Sequence, residues 1–323
     1  MIHALAITGP TASGKTAISI ALAKELGCEI ISCDSMQIYR DMNVGTAKVT
    51  ESEAQGIPHH MIDIVEPSDL FSVEEYRARA LSSANEILTR GKMPLFVGGT
   101  GLYVDALMRA PMTNVPESSK EYRDAILQNI KSDADVDALW QRLDEVDPES
   151  AAAIHKNNVR RVIRALEIYE RTGKTKSEID RESKIASPDI SIGMITLDFH
   201  DREILYKRVD ERVDVMMNTG LLDEVGSLYN SGRLPKNSTA AQAIGYKEII
   251  RYLDGEISLD EAVLQIKLGT RRYAKRQLTW FRHNEAERLY IDGEDGRIRN
   301  VNDILAEASD LAGKLIKRLK EQK

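Results

Sequence analysis

Strand and helix signals alternate through the first hundred residues, a glycine-rich loop separates the first strand from the first helix, and another strand-like run begins near residue 190. These observations predict an α/β fold in which a parallel sheet is flanked by helices on both faces and interrupted by a helical insertion. At 323 residues, 42% hydrophobic and 29% charged, the chain is long enough to bury such a core and a second module as well.

The first apolar run, "IHALAIT", ends at the glycine loop, and "KTAISIALAKELG" has helical spacing and stops at Gly27, a natural carboxyl-terminal cap. "CEIISCD" reads as the second strand. "FSVEEYRARALSSANEILTRG" reads as a helix opened by a capping box, Ser72 with Glu75, and closed by Gly91. "MPLFVGG" supplies the third strand. Asp34, Gly98 and Gly99 then fall at strand carboxyl ends, where ligands of open α/β sheets bind.

From Pro111 to Pro188 the character changes. "ESSKEYRDAILQNIKS", "DVDALWQRLDEVD" and "NNVRRVIRALEIYERTG" read as charged helices with no strand between them, so residues 111–188 are expected to form the insertion, with 1–110 and 189–323 forming the core. "ISIGMITLDF" returns to the sheet. Helices are then expected over "REILYKRVDERVDVMMNTG", "LLDEVGSLYNSG", "QAIGYKEIIRYLDG" and "SLDEAVLQIKLGTRRYAKRQLTWFRHN".

Composition excludes several classes. No apolar run reaches the roughly 18 residues of a membrane helix, and no basic-then-apolar leader opens the chain, so a cytoplasmic location is expected. Cys28 and Cys33 sit roughly 17 Å apart along an extended strand, too far to bridge, and are expected to be buried. His59 and His60 point apart in an extended segment, so a shared metal site on them is not expected. A net charge of −7 means that any nucleic-acid contact must come from local basic patches. No heptad or apolar patch asks for more than a monomer.

The stretch "GPTASGKT", Gly9 to Thr16, fits the pattern of glycine, four residues, glycine, lysine and hydroxyl, set between a strand and a helix. Its backbone amides and a helix amino terminus converge on an anion, Lys15 adds a mobile charge, and the Thr16 hydroxyl can ligate magnesium. Such a loop ordinarily marks nucleotide binding, above all of ATP. Yet "PLFVGGTGLY", the candidate second magnesium strand, ends in glycines instead of an aspartate, and no residue stands out to position water. A smaller diphosphate therefore suits the loop better. A small-molecule or nucleotide kinase stays open, because arginines of the insertion can imitate a lid.

In "DSMQIYR", Asp34 lies close to whatever the loop holds and can take a proton from an incoming nucleophile, while Gln37 pairs a donor with an acceptor, as the edge of adenine requires. An aspartate at a strand end can equally cap the next turn.

"GPTASGKT", "DSMQIYR", "GIPHHMID", "GGTGLY", "RVIRALE", "QAIGYKE" and "RRYAKRQLTWFR" occur together in this order, from Ile7 to about Arg282. The chain thereby resembles the bacterial tRNA dimethylallyltransferases. The resemblance implies transfer of a dimethylallyl group from dimethylallyl diphosphate, with magnesium, to the exocyclic N6 of the adenosine beside the anticodon of tRNA.

It also implies roles for residues. Asp34 matches the catalytic aspartate and Thr100 the hydroxyl that meets the oxygen between allylic carbon and phosphorus. Gly9, Pro10, Thr11, Ala12, Ser13, Gly14, Lys15 and Thr16 would hold the diphosphate with Arg208, and Thr16 the metal. Arg212, one turn after Arg208, is a weaker candidate. The tRNA anticodon stem-loop would meet Asp34, Ser35, Met36 and Gln37, Arg123, the run Asn158, Val159, Arg160, Arg161 and Val162, and Gln242, Gly245, Tyr246 and Lys247. The family commonly has an aspartate where this chain has Asn158. Arg160, Arg164 and Arg171 share one helical face and could track a phosphate backbone. Arg271, Arg272, Lys275, Arg276 and Arg282 interleave with Tyr273, Trp280 and Phe281, whose rings are expected to pack inward. Three readings compete at this point: the prenyltransferase, a kinase that turns over ATP, and a nucleotide-regulated RNA-binding protein without catalysis.

Overall fold

A computed structural model describes residues 1–110, 119–182, 185 and 187–321. The chain divides into two units, Met1–Met108 with Asp189–Lys323, and Arg109–Pro188. The division falls two residues before Pro111, which itself lies outside the described residues, as do Glu117 and Ser118 at the start of the expected insertion helix.

In the first unit β1 (Ile2–Thr8) leads through the glycine loop into α1 (Lys15–Leu26). Gly27 closes that helix in the left-handed region, φ 67°, as its position predicts. β2 (Cys28–Ser32) follows, then the one-turn α2 (Glu51–Ala54) and β3 (His59–His60). α3 (Val73–Thr89) begins with the Ser72 hydroxyl accepting the Glu75 amide. The reciprocal half of the expected box is replaced by an ion pair, since the Glu75 carboxylate takes Arg79 one turn on. β4 (Met93–Gly98) and α4 (Gly101–Met108) complete this part.

The second unit contains α5 (Lys120–Asn129), α6 (Asp133–Val146), α7 (Pro148–Ala153), α8 (Val159–Thr172) and α9 (Lys176–Glu182). Its core gathers Leu143, Ala151, Ile154, Val162, Ala165 and Leu166. α7 and α9, one or two turns each, are too short to show a period in the sequence.

The first unit resumes with β5 (Ile190–Asp198), α10 (Arg202–Asn218) and α11 (Leu221–Asn230). α12 (Tyr246–Leu253) starts four residues later than "QAIGYKE" suggests, because Ala240–Gln242 form a separate tight turn and Gly245 leaves the helical region at φ 98°. α13 (Leu259–Arg282), β6 (Glu287–Tyr290) and α14 (Val301–Glu321) end the fold.

Among the described residues six strands form one sheet, ordered β3-β2-β4-β1-β5-β6, with every pair parallel. Alternation along β1 sorts its side chains: Leu5 and Ile7 join the core under α1 and α14, whereas Ala4 and Ala6 join the core under α3 and α4. Both faces are therefore covered, as a parallel sheet requires. Cys28 and Cys33 are free and buried. A third apolar cluster joins α10 to α13 with Ile38, Tyr39 and Met42, which anchors the segment after β2 to the helical end of the unit. No helix of the described residues is long and apolar enough to cross a membrane.

Candidate active site

The glycine loop leaves β1 at Gly9, whose φ of 140° and whose approach to Leu197 admit no side chain, since a Cβ would stand 2.8 Å from the Leu197 carbonyl oxygen. Ala12 is held at φ 63°, and Gly14 caps α1 at φ 91°. Arg208, on α10, fastens the loop from outside by donating its Nε to the Ala12 carbonyl at 2.8 Å. Lys15 folds over the loop and donates its ammonium to the carbonyls of Gly9 at 3.0 Å and Pro10 at 2.6 Å. Burial, and then the Arg212 charge, lower its pKa to about 7 against the pull of Asp34. The Ser13 hydroxyl is buried without a hydrogen-bond partner among the described residues. Thr16 is exposed at the first turn of α1.

One expected anion donor is already committed. The Thr11 amide donates to Gln277 Oε1 at 2.9 Å, so the cradle consists of the amides beyond it.

Asp34 follows β2, where the Cys33 amide extends the sheet to the Val97 carbonyl. Its Oδ1 accepts the Met36 amide at 2.9 Å, which fixes the side chain as it caps the turn. The capping and the chemical readings of this aspartate are therefore compatible. The Ser35 amide donates to the Thr100 hydroxyl at 3.0 Å, and the Thr100 amide donates to the Cys33 carbonyl, which ties "DSMQ" to "GGTG". Gly98 and Gly99 permit this approach, because a Cβ on either would overlap Cys33 or Gln277.

These segments surround a chamber of about 660 Å³. Its wall includes Ser13, Lys15 and Thr16 on one side, Asp34, Ser35, Met36 and Gln37 on another, and α13 on a third. Gly9, Pro10, Thr100 and Arg208 support this wall and are not part of it. Arg212 is part of it. Its guanidinium is buried between the charges of Asp34 and Glu53, and its Nε has no partner among the described residues. The family resemblance favours Arg208 over Arg212, and the helical spacing that puts both on one face of α10 cannot tell which reaches the cavity.

Other expected contacts are redistributed. Gln37 Oε1 accepts the Ser32 hydroxyl at 2.8 Å, and its Nε2 reaches the carbonyls of Thr46 and Ala47 at 3.3 and 3.4 Å, so part of its amide serves the protein. Tyr246 also lines the chamber, although it is almost fully buried and its hydroxyl donates to Glu224 at 2.6 Å. Gln242, Gly245 and Lys247 line the chamber. Of the aromatics on α13, Phe281 packs inward as expected and Trp280 covers Gly101, but Tyr273 lines the chamber with the Arg276 guanidinium 5.7 Å from its ring centre. Arg272 also lines it, whereas Arg271 and Arg282 are spent on Asp210 and Asp198.

In the second unit Asn158, Arg160 and Arg161 are exposed at the start of α8, Val159 is partly buried, and Arg123 is partly buried on α5. Val162 points into the core at 1% exposure, so its side chain is closed to RNA. Arg164 and Arg171 of the expected stripe both pair with the buried Glu167. Among the described residues no group of three or more histidine, cysteine or acidic side chains is placed to hold a metal.

A family model described as IPP transferase matches residues 37–284. The tRNA dimethylallyltransferase of Thermoanaerobacter sp. is 50% identical over 282 residues, 87% of this chain and 89% of that one. That of Bacillus cereus is 50% identical over 291 residues, 90% of each. The crystal structure of the full-length tRNA isopentenylpyrophosphate transferase from Bacillus halodurans matches with a TM-score of 0.70 at 42% identity, covering 100% of this chain and 99% of that one. A eukaryotic dimethylallyltransferase captured acting on tRNA matches with a TM-score of 0.73 at 31% identity, covering 90% and 74%. A glycine loop facing Asp34 across one chamber, together with likeness over nearly the whole chain, means that this protein belongs to the IPP transferase family.

Proposed function

We propose that the protein transfers the dimethylallyl group of dimethylallyl diphosphate to N6 of the adenosine adjacent to the anticodon of tRNA. The supporting observation is the shared chamber: Asp34 and the anion cradle of Ser13 to Thr16 line the same cavity. The adenine amine is a poor nucleophile, its lone pair being spread into the ring. As N6 bonds to the allylic carbon, the carbon–oxygen bond breaks, the electron pair leaves with the diphosphate, and Asp34 takes the proton from N6. Amides after Thr11, Lys15 and the Arg212 guanidinium face the developing negative charge. The Thr100 hydroxyl, which accepts the Ser35 amide, fastens the Asp34 turn to the glycine turn behind the wall.

Magnesium fits this donor set as a passenger of the diphosphate. It prefers oxygen ligands, keeps several waters and leans on substrate phosphates, which matches an exposed Thr16 hydroxyl with no ready-made acidic cage among the described residues. Thr16 would hold it there, and the ion would neutralise leaving-group charge.

In this reading Arg160 and Arg161, with Gln242 and Lys247, meet the anticodon stem-loop, and the protein acts as a monomer in the cytoplasm. Extruding the target base costs a few kcal/mol, less in a loop than in a duplex, which phosphate contacts offset. The test is mass analysis of nucleosides from unmodified tRNA incubated with the protein, magnesium and dimethylallyl diphosphate, without triphosphate. A dimethylallyl-adenosine product is expected; unmodified tRNA, or a strict need for ATP, would refute the proposal.

A further inference from the structure

Three successive amides of the segment that lines the chamber beside Asp34 converge on a single carboxylate. Glu224, on α11, accepts the amides of Asn43 and Val44 on Oε2, both at 2.7 Å, and the amide of Gly45 on Oε1 at 3.1 Å. The Tyr246 hydroxyl adds a fourth bond to Oε1. Three successive amides converging on an anion form a nest of the kind that elsewhere captures phosphate. Here the protein fills it with its own side chain. Gly45 lies against the Tyr246 ring, leaving no space for a Cβ. The two ends of the segment, Asp41 and Ala47, are held at positive φ of 60° and 45°, conformations that persist only under restraint.

The restrained segment is part of the site. Gly45, Thr46 and Ala47 line the chamber, and the Thr46 and Ala47 carbonyls share the Gln37 amide. A carboxamide has two N–H groups and two acceptor positions. If one N–H serves both neighbouring carbonyls, as a three-centre bond does, and the Ser32 hydroxyl fills one acceptor position, Gln37 keeps one donor and one acceptor for a ligand. These are what the edge of an adenine takes.

We propose that Glu224 is a positioning residue: through Asn43–Ala47 it sets the orientation of the Gln37 amide, and so the placement of the target base against Asp34. Glu224 does not line the chamber and acts through the segment it holds. The proposal rests on the tRNA prenylation reading above.

Glu224→Gln is the informative variant. Each carboxylate oxygen receives two donors, so a carboxamide in either orientation turns its NH₂ toward two of them, at nearly unchanged volume. Steady-state kinetics on an anticodon stem-loop and on dimethylallyl diphosphate separate the two halves of the site. Glu224→Gln is expected to lower kcat/KM for the stem-loop roughly 10- to 100-fold, as a misplacement of about 1 Å does, with KM for dimethylallyl diphosphate nearly unchanged. The double variant Gln37→Ala/Glu224→Gln should be no worse than Gln37→Ala alone. Tyr246→Phe removes one of the four donors, keeps the buried ring, and should give a smaller loss in the same parameter. A proportional rise in KM for both substrates, full additivity with Gln37→Ala, or wild-type kinetics in Glu224→Gln would each overturn the proposal. Should Glu224→Gln not fold, a Tyr246→Phe loss that falls on dimethylallyl diphosphate instead of the stem-loop overturns it as well. Wild-type protein that leaves tRNA unmodified refutes the functional reading first, and this inference with it.

Discussion

The Gln277 carboxamide donates to the Gly99 carbonyl at 2.9 Å from a position only 6% exposed. Its oxygen accepts the Thr11 amide at the same distance, so one side chain of α13 ties the glycine loop to the turn that carries Thr100. Gln277→Ala leaves the buried Gly99 carbonyl unpaired, at about 1–3 kcal/mol, and frees the part-buried Thr11 amide, at about 1 kcal/mol. A loss of roughly 2–4 kcal/mol in urea unfolding is expected, with a raised KM for dimethylallyl diphosphate as the loop loosens. Unchanged stability would show that the carboxamide does not hold the loop.

Asp34 has two jobs that one substitution separates. Asp34→Asn keeps an oxygen to accept the Met36 amide, so the turn survives, but it removes the base. Transfer measured in single turnover should fall roughly 10²- to 10⁴-fold, with stem-loop affinity close to wild type. A loss of binding in place of rate would make Asp34 a structural cap.

What the sequence discloses and what it hides divide along the range of the interaction. The loop, α1 with its Gly27 cap and α3 with its Ser72 cap are written in local patterns, and the parallel sheet follows from their alternation. Gln277 is hidden, because its partners lie 178 and 266 residues away and a glutamine in a long helix carries no local signal. Glu224 is hidden for the same reason, its amide partners being about 180 positions distant. β3 spans two residues, too few for a period, and exists because it pairs with β2. Val162 follows two exposed arginines in the run the resemblance points to, and only the core of the second unit shows that its side chain faces inward.

Arg208 and Arg212 are expected to separate in kinetics although they occupy one face of α10. Arg212 lines the chamber with its Nε unpartnered among the described residues, so Arg212→Gln removes hydrogen bonds to a charged ligand. Such bonds are worth about 1.5–3 kcal/mol, or roughly 10- to 100-fold in KM for dimethylallyl diphosphate. Arg208→Gln releases the Ala12 carbonyl and should act through the loop, lowering thermal stability along with affinity. Equal effects of the two on both stability and KM would contradict this division.

Acid should find a different weak point, on β2. Glu29 is buried beneath Arg90, His60 and Lys92, with Arg90 Nη2 at 2.7 Å, His60 Nε2 at 2.8 Å and Lys92 Nζ at 3.1 Å. The Arg90 hydrogen bond, joined by those of His60 and Lys92 and opposed by burial, lowers its pKa from 4.5 to about 2. A carboxylate whose folded pKa is depressed adds stability that is complete above its unfolded pKa and disappears as pH falls through the folded one. The window is therefore about 4.5 down to about 2. At 1.36 kcal/mol per tenfold change in proton affinity, the contribution is on the order of 3 kcal/mol at neutral pH. Urea unfolding of wild type and Glu29→Gln should differ by about that amount at pH 7, by the same amount at pH 6, and by progressively less below pH 4.5. A difference that persists undiminished at pH 3 would mean that packing around Glu29, and not its charge, holds this edge of the sheet.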